Sequence, residues 1–134
     1  MNVKIREYIY HNIITQLDYK YYELLGIIGS SGQNIIDSFV LDEKASTSKY
    51  HCKPDPGIIH VFDKDNIFFV GIIHSHPPGL HNLSNKDIEY AYSIIRSAQN
   101  LPFILMGIVC DRELYLYQVS LEKTVYLNLI IVGC

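Results

Sequence analysis

The stretch that decides the fold is NIFFVGIIHSHPPGLHNLSNKDIEYAYSII, residues 66–95. Its first part is rich in β-branched and aromatic residues, which is typical of a strand, and the Pro-Pro-Gly that follows cannot continue a ladder. We therefore expect the strand to end near His76. From Ser84, an N-cap residue, the pattern predicts a helix to about residue 99. The apolar stripe of this helix consists of Ile88, Ala91, Tyr92, Ile95 and Ala98.

Two histidines, His74 and His76, stand one residue apart on the predicted strand. Because side chains alternate between the faces of a strand, both imidazoles can reach one point at its end. The helix that begins after Ser84 places the carboxylate of Asp87 in its first turn, close to the same point. Two imidazoles and a carboxylate are three protein ligands for zinc, and an open fourth position is typical of catalytic zinc.

Each part of this pattern also has a simpler interpretation. A His-x-His pair is common on strands, where the histidines are often polar residues near the surface. Ser84 and Asp87 by themselves resemble a capping box and indicate only the start of a helix. His81 lies in the loop between strand and helix, where exposure is the better interpretation than ligation. We interpret the histidines at positions 11, 51 and 60 as structural, because none has a partner in the sequence.

Further elements are predicted on both sides of the deciding stretch. Residues 21–29 and 34–41 are apolar runs of strand length around the turn-forming SSGQ, which predicts a hairpin. The polar residues 42–57 are interpreted as a loop or insertion, and residues 58–64 as the start of a short strand. An N-terminal amphipathic helix is indicated by apolar and amide residues at intervals of three or four: Ile5, Tyr8, Ile9, Asn12, Ile13, Gln16 and Leu17.

Three more strands are expected in residues 102–110, 113–120 and 124–132, with Asp111 and Arg112 as a hairpin turn. The order of elements is then helix, two strands, loop, one or two strands, helix and three strands. Such an order predicts an α/β (α+β) layered domain with a mixed sheet. A chain of 134 residues is long enough for one such domain with a buried core, so we assign residues 1–134 to a single domain.

Composition excludes several classes of function. With 49% hydrophobic and 19% charged residues the chain has the profile of a globular protein. Its net charge of -3 favours neither nucleic acid nor an anionic membrane as a partner. The apolar runs 101–110 and 125–134 are each ten residues long, short of the roughly 20 that span a bilayer. Three cysteines without a Cys-x-x-Cys pair, and a start without a secretory pattern, favour a reduced, cytoplasmic location.

The combined spacing resembles the JAMM motif of the JAB/MPN family of zinc metalloproteases. The motif residues are Glu23 with Gly26 and Gly29, then the His74-Ser75-His76-Pro77 segment, then Ser84 and Asp87. The resemblance extends from about residue 20 to residue 110. It departs from the family at Leu83, where many members have a proline, a difference that affects the stiffness of the loop more than the chemistry.

The resemblance implies a deaminase-like three-layer α/β/α fold that holds one zinc per chain. It further implies hydrolysis of the isopeptide or peptide bond after the C-terminal tail of ubiquitin or a ubiquitin-like protein. His74, His76 and Asp87 would bind the metal. Glu23 would accept a proton from water and pass it to the leaving amine, and Ser84 would donate a hydrogen bond to the oxyanion.

Two other functions stay open from the sequence. One is a metal-free MPN module that acts as a scaffold. This function is disfavoured because every metal ligand of the motif is present in the sequence. The other is a RadC-like protein, whose members usually carry Asn where this chain has Ser75. The short chain has little room for chain-recognising insertions, so we expect a minimal, prokaryote-like protease. Gly26 and Gly29, inside a strand, indicate close approach of another backbone or of a substrate chain.

Overall fold

The computed structural model describes residues 1–18, 23–32, 34–43, 46–47, 52–53, 60–97 and 101–133. Within these residues the chain forms strands, two α-helices and one turn of 3-10 helix at Asp63–Asp65. The strands and helices, in chain order, are β1 Asn2–Arg6, α1 Glu7–Gln16, β2 Leu25–Ser30, β3 Ile35–Ile36, β4 Ser38–Leu41, β5 Ser46–Thr47, β6 Cys52–Lys53, β7 Phe68–Ser75, α2 Asn85–Ser97, β8 Ile104–Cys110, β9 Glu113–Val119 and β10 Thr124–Val132.

Eight of the strands form one mixed sheet in the order β3-β1-β10-β9-β8-β7-β2-β4. β7 pairs in parallel with β8 and antiparallel with β2. β3 and β4 lie at opposite edges of the sheet although only Asp37 separates them in the chain. The sheet must therefore curl until its two edges meet at this residue, whose backbone N–H donates to the carbonyl of Gly29 at 3.1 Å.

The two helices pack on opposite faces of this sheet. α1 buries Ile9, Ile13 and Ile14 in one apolar cluster, whereas α2 buries its own apolar residues in a second cluster. Adjacent side chains of β7 point to opposite faces of the sheet, so Ile73 belongs to the first cluster and Ile72 to the second. The expected mixed sheet with flanking helices is confirmed. Neither helix, in the part of the chain described, is long and apolar enough to cross a membrane.

The prediction for residues 66–95 is confirmed in its main features. β7 ends at Ser75, and α2 begins directly after the expected cap Ser84. The described part of α2 ends at Ser97, so the expected helical end near residue 99 lies outside the described residues. The three C-terminal strands are also present, and Asp111 and Arg112 turn the chain between β8 and β9 with φ angles of 52° and 62°.

The N-terminal prediction is wrong at its start. Ile5 belongs to β1, and the helix begins only at Glu7. The apolar residues Val3 and Ile5 also fit the two-residue period of a strand, and β1 gains ladders on both sides, from β10 and from β3. Backbone pairing to distant segments therefore overrides the helical pattern before residue 7.

Two predictions between β2 and β7 need correction. The second strand of the expected hairpin is divided, because β4 pairs with β2 while Ile35–Ile36 pairs with β1 at the far edge. Residues 60–64, expected to belong to a short strand, form turns and 3-10 helix instead, and residues 58–59 lie outside the described residues. Of the expected loop 42–57, the described part includes one short hairpin of β5 and β6.

Candidate metal centre

The end of β7 is held from both sides by neighbouring backbone. The N–H of Ser75 donates to the carbonyl of Leu24 at 2.8 Å, and the N–H of His76 donates to the carbonyl of Val109 at 3.0 Å. His74 and His76 are both buried, and their Nε2 atoms face each other at 2.8 Å. The expected convergence of the two imidazoles is therefore present, at a point fixed by three adjacent strands.

Asp87 completes the convergence from the first turn of α2. Its Oδ1 lies 3.0 Å from the Nε2 of His74, and its Oδ2 lies 3.4 Å from the Nε2 of His76. The backbone N–H of Ser84 donates to Oδ2 at 2.8 Å, and the N–H of Asp87 donates to the Ser84 Oγ at 3.2 Å. This reciprocal pair caps the helix and also fixes the direction of the carboxylate.

Electrostatics keep this carboxylate ionised. Burial by itself raises the pKa of Asp87, but hydrogen bonds from His74 and His76 outweigh burial, so the pKa lies well below its usual range. Burial lowers the pKa of His76, and the hydrogen bonds with Asp87 and with the Leu80 carbonyl reverse the effect and raise it. An ionised carboxylate between two imidazoles is a donor set that zinc accepts.

The orientation of His76 supports metal binding. Its Nδ1 lies 2.9 Å from the carbonyl oxygen of Leu80, which can only accept, so Nδ1 carries the hydrogen. Nε2 therefore faces His74 and Asp87, where it donates to the carboxylate when protonated and offers its lone pair to a metal once it has lost that hydrogen, and metal-binding histidines commonly share this orientation. Tetrahedral zinc with bonds of about 2.0 Å needs donor atoms about 3.3 Å apart. The two ring nitrogens lie 2.8 Å apart, and each faces a different oxygen of Asp87 at 3.0 and 3.4 Å, which is close to this spacing.

Glu23 lies beside the three candidate ligands. It precedes β2 and is buried, and its Oε1 lies 3.9 Å from the Nε2 of His76. The backbone N–H of the next residue, Leu24, donates to the Ser75 Oγ at 2.8 Å. Burial raises the pKa of Glu23, and the nearby imidazoles offset part of that rise. A carboxyl group at this distance is close to the metal ligands without being one of them.

A cavity of about 90 Å³ lies beside these groups. Four of the five predicted site residues line it, namely Glu23, His76, Ser84 and Asp87. The Ser84 side chain is exposed, and because its oxygen accepts from the backbone of Asp87, its hydroxyl hydrogen is available to another acceptor. The fifth residue, His74, is buried and contacts the Asp87 carboxylate. All five residues predicted from the sequence are thus brought together.

The glycine prediction is corrected in its details. A Cβ at Gly26 would lie 2.3 Å from the ring of Phe39 on β4, and one at Gly29 would lie 2.6 Å from Ile67 and 2.7 Å from Phe62. The expected close approach is real. At Gly26 the backbone carbonyl oxygen of Val40, 2.8 Å from the added Cβ, contributes as expected beside the Phe39 ring, whereas at Gly29 the nearest atoms belong to side chains. A substrate chain is not needed to explain either glycine.

Sequence reasoning missed two groups that hold the site. Ser75, between the two histidines, joins β7 to the segment that carries Glu23. A buried serine between two candidate ligands was a usable signal, because its side chain must point to the face opposite theirs. The Leu80 carbonyl, which orients His76, had no signal in the residue type. His81 is exposed, as expected.

Among the described residues, His11 and His60 belong to no group of metal-binding side chains. His11 lies 3.7 Å from Glu7 and His60 lies 3.2 Å from Asp63, both at the surface. An exposed histidine beside a single carboxylate fits the structural interpretation of these two residues. His51 lies outside the described residues.

Comparison with known proteins supports the fold. No protein-family model and no curated protein matches the chain. Among solved structures, protein DSY2949 from Desulfitobacterium hafniense is 13% identical with a TM-score of 0.76, over 98% of this chain and 94% of that one. AF2198 from Archaeoglobus fulgidus, a JAB1/MPN domain protein, is 14% identical with a TM-score of 0.57, over 96% of this chain and 98% of its own.

A third structure, described as a JAMM metalloprotease-like zinc site in the proteasome and signalosome, is 15% identical with a TM-score of 0.54. The match covers 97% of this chain and 99% of that one. At these identities the likeness is one of fold. The chain therefore has a fold similar to JAB1/MPN domain proteins, and His74, His76 and Asp87 form a possible metal-binding group within it.

Proposed function

We propose that this chain is a zinc-dependent isopeptidase or peptidase that hydrolyses the bond after the C-terminal tail of ubiquitin or a ubiquitin-like protein. One observation carries the proposal: His74, His76 and Asp87 converge on one point, with Glu23 beside them and a small cavity in front. The fold likeness to a JAMM metalloprotease-like zinc site supports the same class of chemistry.

The site residues divide the work of hydrolysis. His74, His76 and Asp87 would hold zinc, whose Lewis acidity makes water a nucleophile near neutral pH. Glu23 accepts the proton that the attacking water loses and delivers it to the leaving amine, because its carboxyl lines the cavity and is not needed as a ligand. The Ser84 hydroxyl, on the same cavity wall, donates to the oxygen that becomes negative during attack.

The dimensions of the site favour a slender substrate. A cavity of about 90 Å³ beside buried ligands has room for a backbone with small side chains, so we propose a tail that ends in Gly-Gly. Cleavage that continues unchanged after both tail glycines are replaced by leucine would contradict this substrate. The deaminase-like three-layer arrangement and the cytoplasmic location expected from the sequence are parts of the same proposal.

Zinc content tests the proposal first. By elemental analysis, purified His76→Ala should contain one zinc ion less per chain than the wild type, because a site with two ligands binds far more weakly. His60→Ala, which removes an exposed imidazole beside Asp63, is the matched control and should keep the zinc content of the wild type. A scaffold module without metal would show equal content in all three proteins.

Cleavage of a substrate tests the second part of the proposal, the hydrolysis reaction. The wild-type protein and His60→Ala should cleave a ubiquitin-like protein fused through its Gly-Gly tail or joined by an isopeptide bond, and His76→Ala should not. Zinc that depends on His76, together with no cleavage of either substrate, would contradict the isopeptidase proposal and favour the RadC-like alternative. The two measurements therefore separate the metal site from the reaction.

A further inference from the structure

The described residues contain a second group of metal-binding side chains, about which the proposed reaction says nothing. His81 lies in the loop between β7 and α2, Cys110 is the last residue of β8, and Asp111 begins the turn to β9. One ligand atom of each residue lies within 4.8 Å of the other two. An imidazole, a thiol and a carboxylate are three ligand types that zinc combines in proteins.

Two of the three distances in this group are close to those around a tetrahedral ion, and the third pair, Cys110 with His81, lies within 4.8 Å. The Nε2 of His81 and the Oδ2 of Asp111 are 3.3 Å apart, and the Sγ of Cys110 lies 3.6 Å from the same Oδ2. Zinc bonds of about 2.0 Å to nitrogen or oxygen and about 2.3 Å to sulfur, at tetrahedral angles, place such pairs about 3.3 and 3.5 Å apart. His81 and Cys110 are therefore each at the distance from the Asp111 oxygen that a shared ion would require.

Neighbouring groups hold two of the ligands in position. The ring of His81 stacks on Tyr115, with centroids 5.2 Å apart, and the hydroxyl of Tyr117 donates to the His81 carbonyl at 3.1 Å. The backbone N–H of Gly79 donates to the Oδ2 of Asp111 at 3.2 Å. Support of this kind fixes the orientation of a ligand before the metal binds.

Cys110 determines which metal the group would select. Its side chain is almost fully buried, and its Sγ contacts the carbonyl of Pro77 at 3.3 Å as well as Asp111. A buried sulfur beside an imidazole favours zinc over magnesium or calcium, which prefer oxygen ligands. His81 and Asp111 are exposed, so water can complete the coordination.

We propose that His81, Cys110 and Asp111 form a second zinc site, which fastens the loop after β7 to the turn between β8 and β9. The position of this site gives it a further role. His81 directly follows Leu80, whose carbonyl accepts from Nδ1 of His76 at 2.9 Å. An ion on His81 therefore fixes the group that orients a ligand of the first site. The metal content of the chain rises from one to two ions, whether or not the proposed hydrolysis is correct.

Cobalt(II) titration of the metal-stripped protein tests the second site, because a thiolate bound to cobalt gives a charge-transfer band in the near ultraviolet. The first site contains no sulfur, so the band reports the second site alone. We expect two cobalt ions per chain in the wild type, and one ion with the band in His76→Ala. Cys110→Ser should bind one ion without the band.

Two further variants keep the test decisive. The double variant Cys52→Ser, Cys134→Ser removes the other cysteines of the sequence and should keep the band. If Cys110→Ser does not fold, His81→Ala removes an exposed ligand instead, and its band should require at least about tenfold more cobalt. Absence of the band from the wild type at excess cobalt, or its loss in the double variant, would overturn the second site.

Discussion

Glu23→Gln separates proton transfer from metal binding. The substitution keeps the volume and shape of a buried side chain and removes its ability to accept a proton. The Oε1 of Glu23 lies 3.9 Å from the Nε2 of His76, beyond hydrogen-bonding distance, so an amide in its place displaces no candidate ligand. We expect zinc content and folding to stay as in the wild type, and hydrolysis to slow sharply.

The size of the effect follows from the proposed role. Loss of a general base typically slows a reaction by about a hundred- to ten-thousand-fold. At about 1.36 kcal/mol for each factor of ten, the barrier rises by about 2.7 to 5.4 kcal/mol. His76→Ala, in contrast, should lose the zinc of this site and the activity together. The two variants thus differ in zinc content while both lose hydrolysis.

The assay combines zinc analysis, a melting curve and the initial rate on a ubiquitin-like substrate for each protein. Glu122→Gln, at an exposed position in the turn between β9 and β10, is the matched control and should equal the wild type in all three measurements. Full activity of Glu23→Gln would exclude Glu23 as the base. Loss of its zinc would make Glu23 a ligand or a structural residue instead.

Two substitutions test how β7 is held. Ser75→Ala leaves the partly buried N–H of Leu24 without its acceptor, so urea unfolding should show a loss of about 0.5 to 1.5 kcal/mol in the free energy of unfolding. An unchanged midpoint would contradict this role. Gly71→Ala places a Cβ 2.1 Å from the Leu105 carbonyl oxygen and should cost about 3 kcal/mol or more. Gly133→Ala is the control, because its new Cβ meets no described atom within 4 Å, and its free energy of unfolding should stay within about 0.5 kcal/mol of the wild type. Equal unfolding midpoints for the two glycine variants would refute the packing argument.

The part of the fold that could be predicted is the part specified by local chemistry. The end of β7 follows from prolines that cannot join a ladder, and the start of α2 follows from the cap at Ser84. The candidate ligands could be predicted for the same reason, because alternation on a strand and the first turn of a helix are short-range rules. The structure places His74, His76 and Asp87 within 3.4 Å of one another, as those rules require.

The parts that could not be predicted depend on contacts between distant segments. β1 becomes a strand because residues 2–6 pair with residues 128–132, and no pattern within residues 2–6 indicates that partner. For the same reason the sequence does not show that Ile35–Ile36 pairs with β1 and not with β2. The grouping of His81 with Cys110 and Asp111 is of this kind as well, since about thirty residues separate the histidine from the other two.

The strand directions explain why both metal groups lie at one end of the sheet. β7 and β8 run in parallel, so their carboxyl ends, with His76 and Cys110, lie at the same end of the sheet. β2 runs antiparallel to β7, which brings the residue before its start, Glu23, to that end too. The loop that leaves β7 passes over this end of the sheet to reach α2, and it carries Leu80 and His81 between the two groups. A change at the β8–β9 turn can therefore reach His76 through three consecutive contacts: the Asp111 carboxylate with the His81 ring, the peptide bond between His81 and Leu80, and the Leu80 carbonyl with the His76 ring.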